Sequence, residues 1–277
     1  MDLRVVGPGP SEPFLGARDL FETERELERP VTVEIVQDPD ERTRVSHTEK
    51  RHRLTISQQA ATSAMARELA LHEFAHMHHY ERDHPSHTQS TKEVIFLALA
   101  GRTVEKRKLT HVYQIANHMK DIYADDIWLS VAPADKLVDF LESSLAAALA
   151  DHPPEQFDWG RVEPTPADGG GGTDGTDPVD TPDADRPARH TSVSDPEITA
   201  VNAAFALGLV ERHDLVDERH RLYDLADAAA TDAPEIDLQQ FKRRFRSLAA
   251  DPDESEYRKT LVDATRAYAG GQGPAAD

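Results

Sequence analysis

The stretch "LALHEFAHMHHYERDH", residues 69–84, decides how the rest of the chain is read, because it sets five histidines and three acids in one short run and contains His72-Glu73-x-x-His76. Each residue of a helix advances about 100°, so His72 and His76 stand one above the other and can converge two imidazoles on a single ion. Glu73 lies about a quarter turn from His72. There its carboxylate reaches a water beside the ion without occupying the ion itself, the arrangement of zinc-assisted hydrolysis with a general base.

Working outward, Ser57 is an N-cap for one helix over 58–80, rich in Ala, Met, Leu, Gln and Glu and free of Gly and Pro. Met65 and Leu69 continue the His72–His76 stripe. Ahead of it, "VTVEIV" (31–36) alternates apolar and polar residues as a half-buried strand does, and "HRLTIS" (52–57) is its partner and a candidate edge strand. The polar residues between them form a turn region with room for further pairing. The start, "MDLRVVGPGPSEPFLG", is loose and rich in Pro and Gly, and lacks the basic-then-apolar pattern of a secretory signal.

Beyond Pro85 the spacing predicts a helix over 91–109, the buried central helix, built on "VIFLALAG" (94–101) and ending in Lys106, Arg107 and Lys108, which suit its C-terminal dipole. A third helix follows over 111–130 and a fourth from "APADKLVDFLESSLAAALA". Residues 152–194 are dominated by Pro, Gly, Asp and Thr and read as a disordered linker or insertion. Four more helical stretches occupy 195–277, either as a separate bundle or folded back to complete the first domain. The expected organisation is 1–151, a metal-site domain; 152–194, the linker; and 195–277, a C-terminal helical region.

With 51 acids against 31 bases the formal charge is −20, and the bases are 23 Arg and only 8 Lys. An acidic, Lys-poor surface suits a salt-crowded cytosol, where screening shortens carboxylate repulsion, so a halophilic, cytoplasmic protein is expected. The charge argues against nucleic-acid or membrane binding, which need basic stripes; "FKRRFR" (241–246), flanked by acids, reads as the polar face of a helix. The longest apolar run is far below the ~20 residues of a membrane span. There is no cysteine, so a transition metal has only His and carboxylate to hold it.

A zinc site of this kind needs a third protein ligand. "ANHMKDIYADDIW" (116–128) offers Asp121 as that ligand, with Asp125 one turn on to accept a hydrogen bond from a ligand imidazole. Glu93 and Glu105 on the intervening helix are rivals. His79 shares the ligand face as polar packing, transition-state donor or alternate ligand, while His78, His84 and His87 fall outside the direct contacts. Tyr113, His118 and Tyr123 are candidates to stabilise an oxyanion.

"HEFAH" followed downstream by "DIYAD" resembles the gluzincin metallopeptidases, in which a His-Glu-x-x-His helix is followed by a helix bearing Glu-x-x-x-Asp, often Glu-x-x-Ala-Asp. Ala124 and Asp125 match that pattern, and Asp121 stands where it has Glu. The resemblance covers roughly residues 31–130 and implies a small β-sheet packed on two active-site helices. Position 79 is His rather than Gly and position 82 is Arg rather than His, which disfavours a metzincin. The whole chain also resembles a family of halophilic archaea, which adds no function.

The fold class expected is therefore α+β and mainly helical, a small N-terminal sheet on a zincin-like helical domain, then the linker and C-terminal helices. The function expected is a zinc-dependent metallopeptidase acting on a peptide or protein substrate, with one Zn²⁺ held by His72, His76 and Asp121, Asp125 behind them, and Glu73 as general base. The alternative is a non-catalytic helical scaffold or regulatory protein, with or without metal. Neither reading fixes the oligomeric state.

Overall fold

The structure, a computed structural model, describes residues 1–151 and 195–270. It is mainly helical, with one small sheet near the N-terminus. The strands are β1 (Leu3–Val6), β2 (Val31–Val36), β3 (Arg44–His47) and β4 (His52–Ser57), in the order β1-β2-β4-β3. β2 runs parallel to β1 and β4, and β3 is antiparallel to β4. Val31, Val33 and Ile35 point into the core together with Leu54 and Ile56, the alternation expected of a sheet covered on one face. "HRLTIS" is thus a partner of "VTVEIV" but an interior strand; the edge beside it is β3, which came from the polar segment between them, and β1 is the other edge.

The Pro- and Gly-rich start is ordered. β1 pairs with β2, and α1 (Glu12–Phe21) takes Pro13 into its first turn, where a missing N–H costs nothing. Phe14, Ala17 and Phe21 line one face of α1 and pack on the histidine-bearing helix, with the Phe21 and Phe74 rings edge to face at 6.0 Å.

The helix expected over 58–80 is broken. A single turn, α2 (Gln58–Ala61), is capped by Ser57, and α3 (Ala66–Glu81) carries the motif. Between them the Thr62 and Ser63 hydroxyls bond back to the Gln58 and Ala60 carbonyls (2.9 and 2.8 Å), which lets the backbone leave the helix without Gly or Pro. After α4 (Pro85–Thr88) the second expected helix is also divided. α5 (Thr91–Ala98) stops before Gly101, whose φ of 77° only glycine adopts readily, and α6 (Lys106–Val131) begins beyond it. α5 is not the buried central helix, since Phe96 is 72% and Leu97 50% exposed. That position belongs to α6. Lys106, Arg107 and Lys108 open it, against its dipole, and Arg107 is compensated from the C-terminal half by Asp195 and Glu197 at 2.6 and 3.4 Å.

α7 (Asp135–Ala150) completes the first half. The expected linker, 152–194, lies outside the described residues, as do 271–277. The C-terminal helices are α8 (Pro196–Arg212), α9 (Arg221–Asp232), α10 (Leu238–Arg246) and α11 (Glu254–Ala269). α11 packs on α5 and α6 and α9 on α7, so both halves share one contiguous apolar core. In "FKRRFR", Phe241 and Phe245 are buried, and Lys242 and Arg246 pair with Glu211 of α8 at 2.7 and 3.0 Å. Among the described residues no helix is long and apolar enough to cross a membrane.

α8 and α10 meet closely at Gly208, where an added Cβ would lie 2.9 Å from Phe245 Cβ and 3.1 Å from the Lys242 carbonyl oxygen. Gly208→Val is expected to destabilise the chain by about 1–3 kcal/mol through overpacking. A lowered urea midpoint with an unchanged slope is the measurement that checks it.

Candidate metal centre

α3 and α6 cross so that the motif histidines face the middle of α6. His72 Nε2 and His76 Nε2 lie 3.5 and 3.4 Å from one oxygen of Asp121, Oδ1, and 2.9 Å from each other. Three donors bound to zinc at ~2.05 Å in a tetrahedron would sit about 3.3 Å apart. The trio is already near that spacing, and a bound ion would part the two imidazoles slightly. Two imidazoles and one carboxylate suit zinc and its transition-metal neighbours rather than the hard cations that prefer oxygen alone. The residues present therefore fit the ion.

Each motif histidine is held from behind. His72 Nδ1 donates to Asp125 Oδ1 (2.8 Å), which also accepts from Trp128 Nε1 (2.6 Å). This directs Nε2 at Asp121, the role second-layer carboxylates play for metal-bound imidazoles. His76 Nδ1 meets His87 Nε2 at 2.7 Å, and His87 Nδ1 meets Ser86 Oγ at 2.7 Å. Glu73, only 1% exposed, follows His72 on the same helix. Its carboxylate lies within electrostatic reach of His47, on the edge strand β3.

Asp121 and Asp125 are therefore buried among imidazoles and Trp128 rather than on a polar helix face. Glu93 and Glu105 are exposed at the starts of α5 and α6 and take no part in the cluster. His79 donates Nε2–H to the Tyr123 carbonyl (3.0 Å), and its ring packs against His84 and His87, so it serves the layer behind the trio. Tyr123 lends that carbonyl while its ring packs on His84. Tyr113 is half-buried on α6. Of the three oxyanion candidates, His118 approaches the trio, with Nδ1 3.7 Å from Asp121 Oδ2. Sequence reasoning missed His87 as the partner of His76. Its distance along the chain gave no signal, because the loop between α3 and α4 is what turns it back.

Two other features lie apart from the trio. His111, Asp195 and Glu197 also bring three donors together. Arg107 already sits on both carboxylates there, and Tyr268 Oη donates to Glu197 (3.0 Å), so both carboxylates have partners without an ion. A groove of about 830 Å³ is lined by Glu22, Glu26, His79, His84, Tyr123 and Asp251 among others. It does not include His72, Glu73, His76 or Asp121, and the His87 ring lies between His76 and its His79 wall.

Compared with known proteins, the chain belongs to a family of unknown function, DUF5781, whose match spans residues 1–270. No curated protein and no solved structure matches it.

Burial pushes the His72 imidazole down, but Asp125 and Asp121 outweigh burial and hold it up at about 9. Metal-free His72 is thus protonated at neutral pH, and a metal must displace that proton. Calorimetric zinc titrations in buffers of different ionisation enthalpy are expected to show about one proton released per ion from pH 6.5 to about 8, about half a proton near 9 and progressively less above it.

The surrounding histidines have the opposite sign. Burial pushes His47 and His79 down to about 3 and also lowers His52, His84 and His87. For these groups the unfolded chain binds protons first, so their stabilisation is complete above pH 6.5 and is lost as pH falls toward 3. His72 opposes this, contributing stability below 6.5 that is lost by about 9. Five groups outweigh one. The urea midpoint of the metal-free chain is expected to fall steadily as pH is lowered from 6.5, and a flat profile would contradict this.

Proposed function

We propose that the chain is a zinc-dependent metallopeptidase, with one zinc ion held by His72, His76 and Asp121 and with Glu73 as general base. The observation that carries this reading is the convergence of two imidazole nitrogens and one carboxylate oxygen, 2.9–3.5 Å apart, beside the buried Glu73. Zinc supplies Lewis acidity when bound, polarising a peptide carbonyl and bringing the pKa of a water toward neutrality.

The protein's own residues do the rest. Asp125 takes the Nδ1–H of His72 and leaves Nε2 as a lone pair for the ion. His87 holds the outer nitrogen of His76, so both rings keep their aim without substrate. Glu73 removes the proton of the attacking water and returns it to the leaving amine, which needs one carboxylate poised beside the ligands but not among them. Burial of the whole group strengthens each of these electrostatic contacts. The acidic composition, read with the family resemblance, supports a cytoplasmic, salt-adapted setting.

Glu73→Gln is expected to lower hydrolysis of a mixed peptide pool by about 10²–10⁴-fold while leaving zinc at one per chain. Failure of the zinc-loaded native chain to cleave any peptide of a diverse pool, with the ion bound and the fold intact, would overturn the reading in favour of a non-catalytic, metal-stabilised scaffold.

A further inference from the structure

His118 stands on the same face of α6 as Asp121, one turn earlier, and is the third imidazole to approach that carboxylate. Its Nδ1 lies 3.7 Å from Asp121 Oδ2, whereas His72 and His76 face Oδ1. The ring is clamped by the C-terminal half, stacked on Phe205 at 4.3 Å and 14° and met edge-on by Phe245. Nε2 donates to Asn202 Oδ1 (2.8 Å), which also accepts from Gln114 Nε2 (2.8 Å). Nε2 therefore carries a proton. Nδ1 is buried and without a hydrogen-bond partner, in a residue only 9% exposed.

A buried imidazole nitrogen with no hydrogen-bond partner of its own is costly unless something joins it to the groups it faces. The arrangement also repeats what His72 and His76 have: one ring nitrogen held by an outer partner and the other turned to Asp121. We propose that His118 is a further protein ligand of the ion, its Nδ1 swinging inward so that the centre becomes three imidazoles and Asp121. This rests on the reading that His72, His76 and Asp121 hold zinc. A fourth protein donor is the mark of a closed site. The C-terminal half then belongs to the metal centre, its ion resists chelators, and an open position for water depends on movement of the His118 ring.

X-ray absorption at the zinc edge of the full-length, zinc-loaded chain counts imidazoles through their outer-ring scattering and needs no variant to do so. Three imidazoles are expected in the native chain and two in His118→Phe, with zinc affinity, measured by chelator competition, lowered by more than about 100-fold. Two imidazoles in the native chain, on zinc that is lost in His72→Ala/His76→Ala, would overturn this inference and leave the trio standing. Three imidazoles in both native and His118→Phe chains would also overturn it. No stoichiometric zinc, or zinc indifferent to His72→Ala/His76→Ala, would overturn the trio and this inference together.

Discussion

Two carboxylates, Asp121 and Asp125, are buried side by side on the central helix, and much of the molecule is arranged around the cost of keeping them there. A carboxylate withdrawn from water costs several kcal/mol unless charge or hydrogen bonds replace the lost hydration. Asp125 receives His72 and Trp128, and Asp121 is approached by His72, His76 and His118. These contacts tie α3 to α6 at their crossing. They also leave a concentration of negative charge that a divalent cation neutralises better than a single protonated imidazole can.

The histidines behind the trio have a different character. His79, His84 and His87 pack ring against ring, His79 bonds the Tyr123 carbonyl, Ser86 Oγ joins His84 to His87, and burial keeps all three neutral at physiological pH. Neutral rings can pass one fixed tautomer from partner to partner, which sets the orientation of His76 without adding charge to the site. One short sequence thus supplies a charge-bearing imidazole, His72, and charge-free ones behind it, and the difference is that His72 faces both Asp121 and Asp125.

The strong net charge is managed locally. Arg107, Arg212, Lys242 and Arg246 each bridge an acid on another helix, and Arg212 holds Asp126 in a two-pronged pair at 2.7 Å while also capping the carbonyls of Arg246 and Leu248. Arg107 and Arg212 join the N-terminal half to the C-terminal half. These four cations lie where helices meet and solvent screens charge least.

The sequence by itself determined what is local. Period-two alternation marked β2 and β4, the N-cap Ser57 marked a helix start, and spacing four put His72 and His76 on one face, with Asp121 and Asp125 as their expected counterparts. What depends on contacts between distant residues was decided only in three dimensions. β1 and α1 are held by β2 and α3 despite their Pro and Gly; the breaks at Thr62–Met65 and Gly101 follow from back-bonding hydroxyls and a left-handed turn; and Arg107 opens a helix because Asp195 and Glu197 wait across the core. His87 behind His76, and Asn202 and Phe205 around His118, lie on other elements altogether. Helical period fixes which side chains share a face, but only the crossing of α3, α6 and α8 fixes which faces meet.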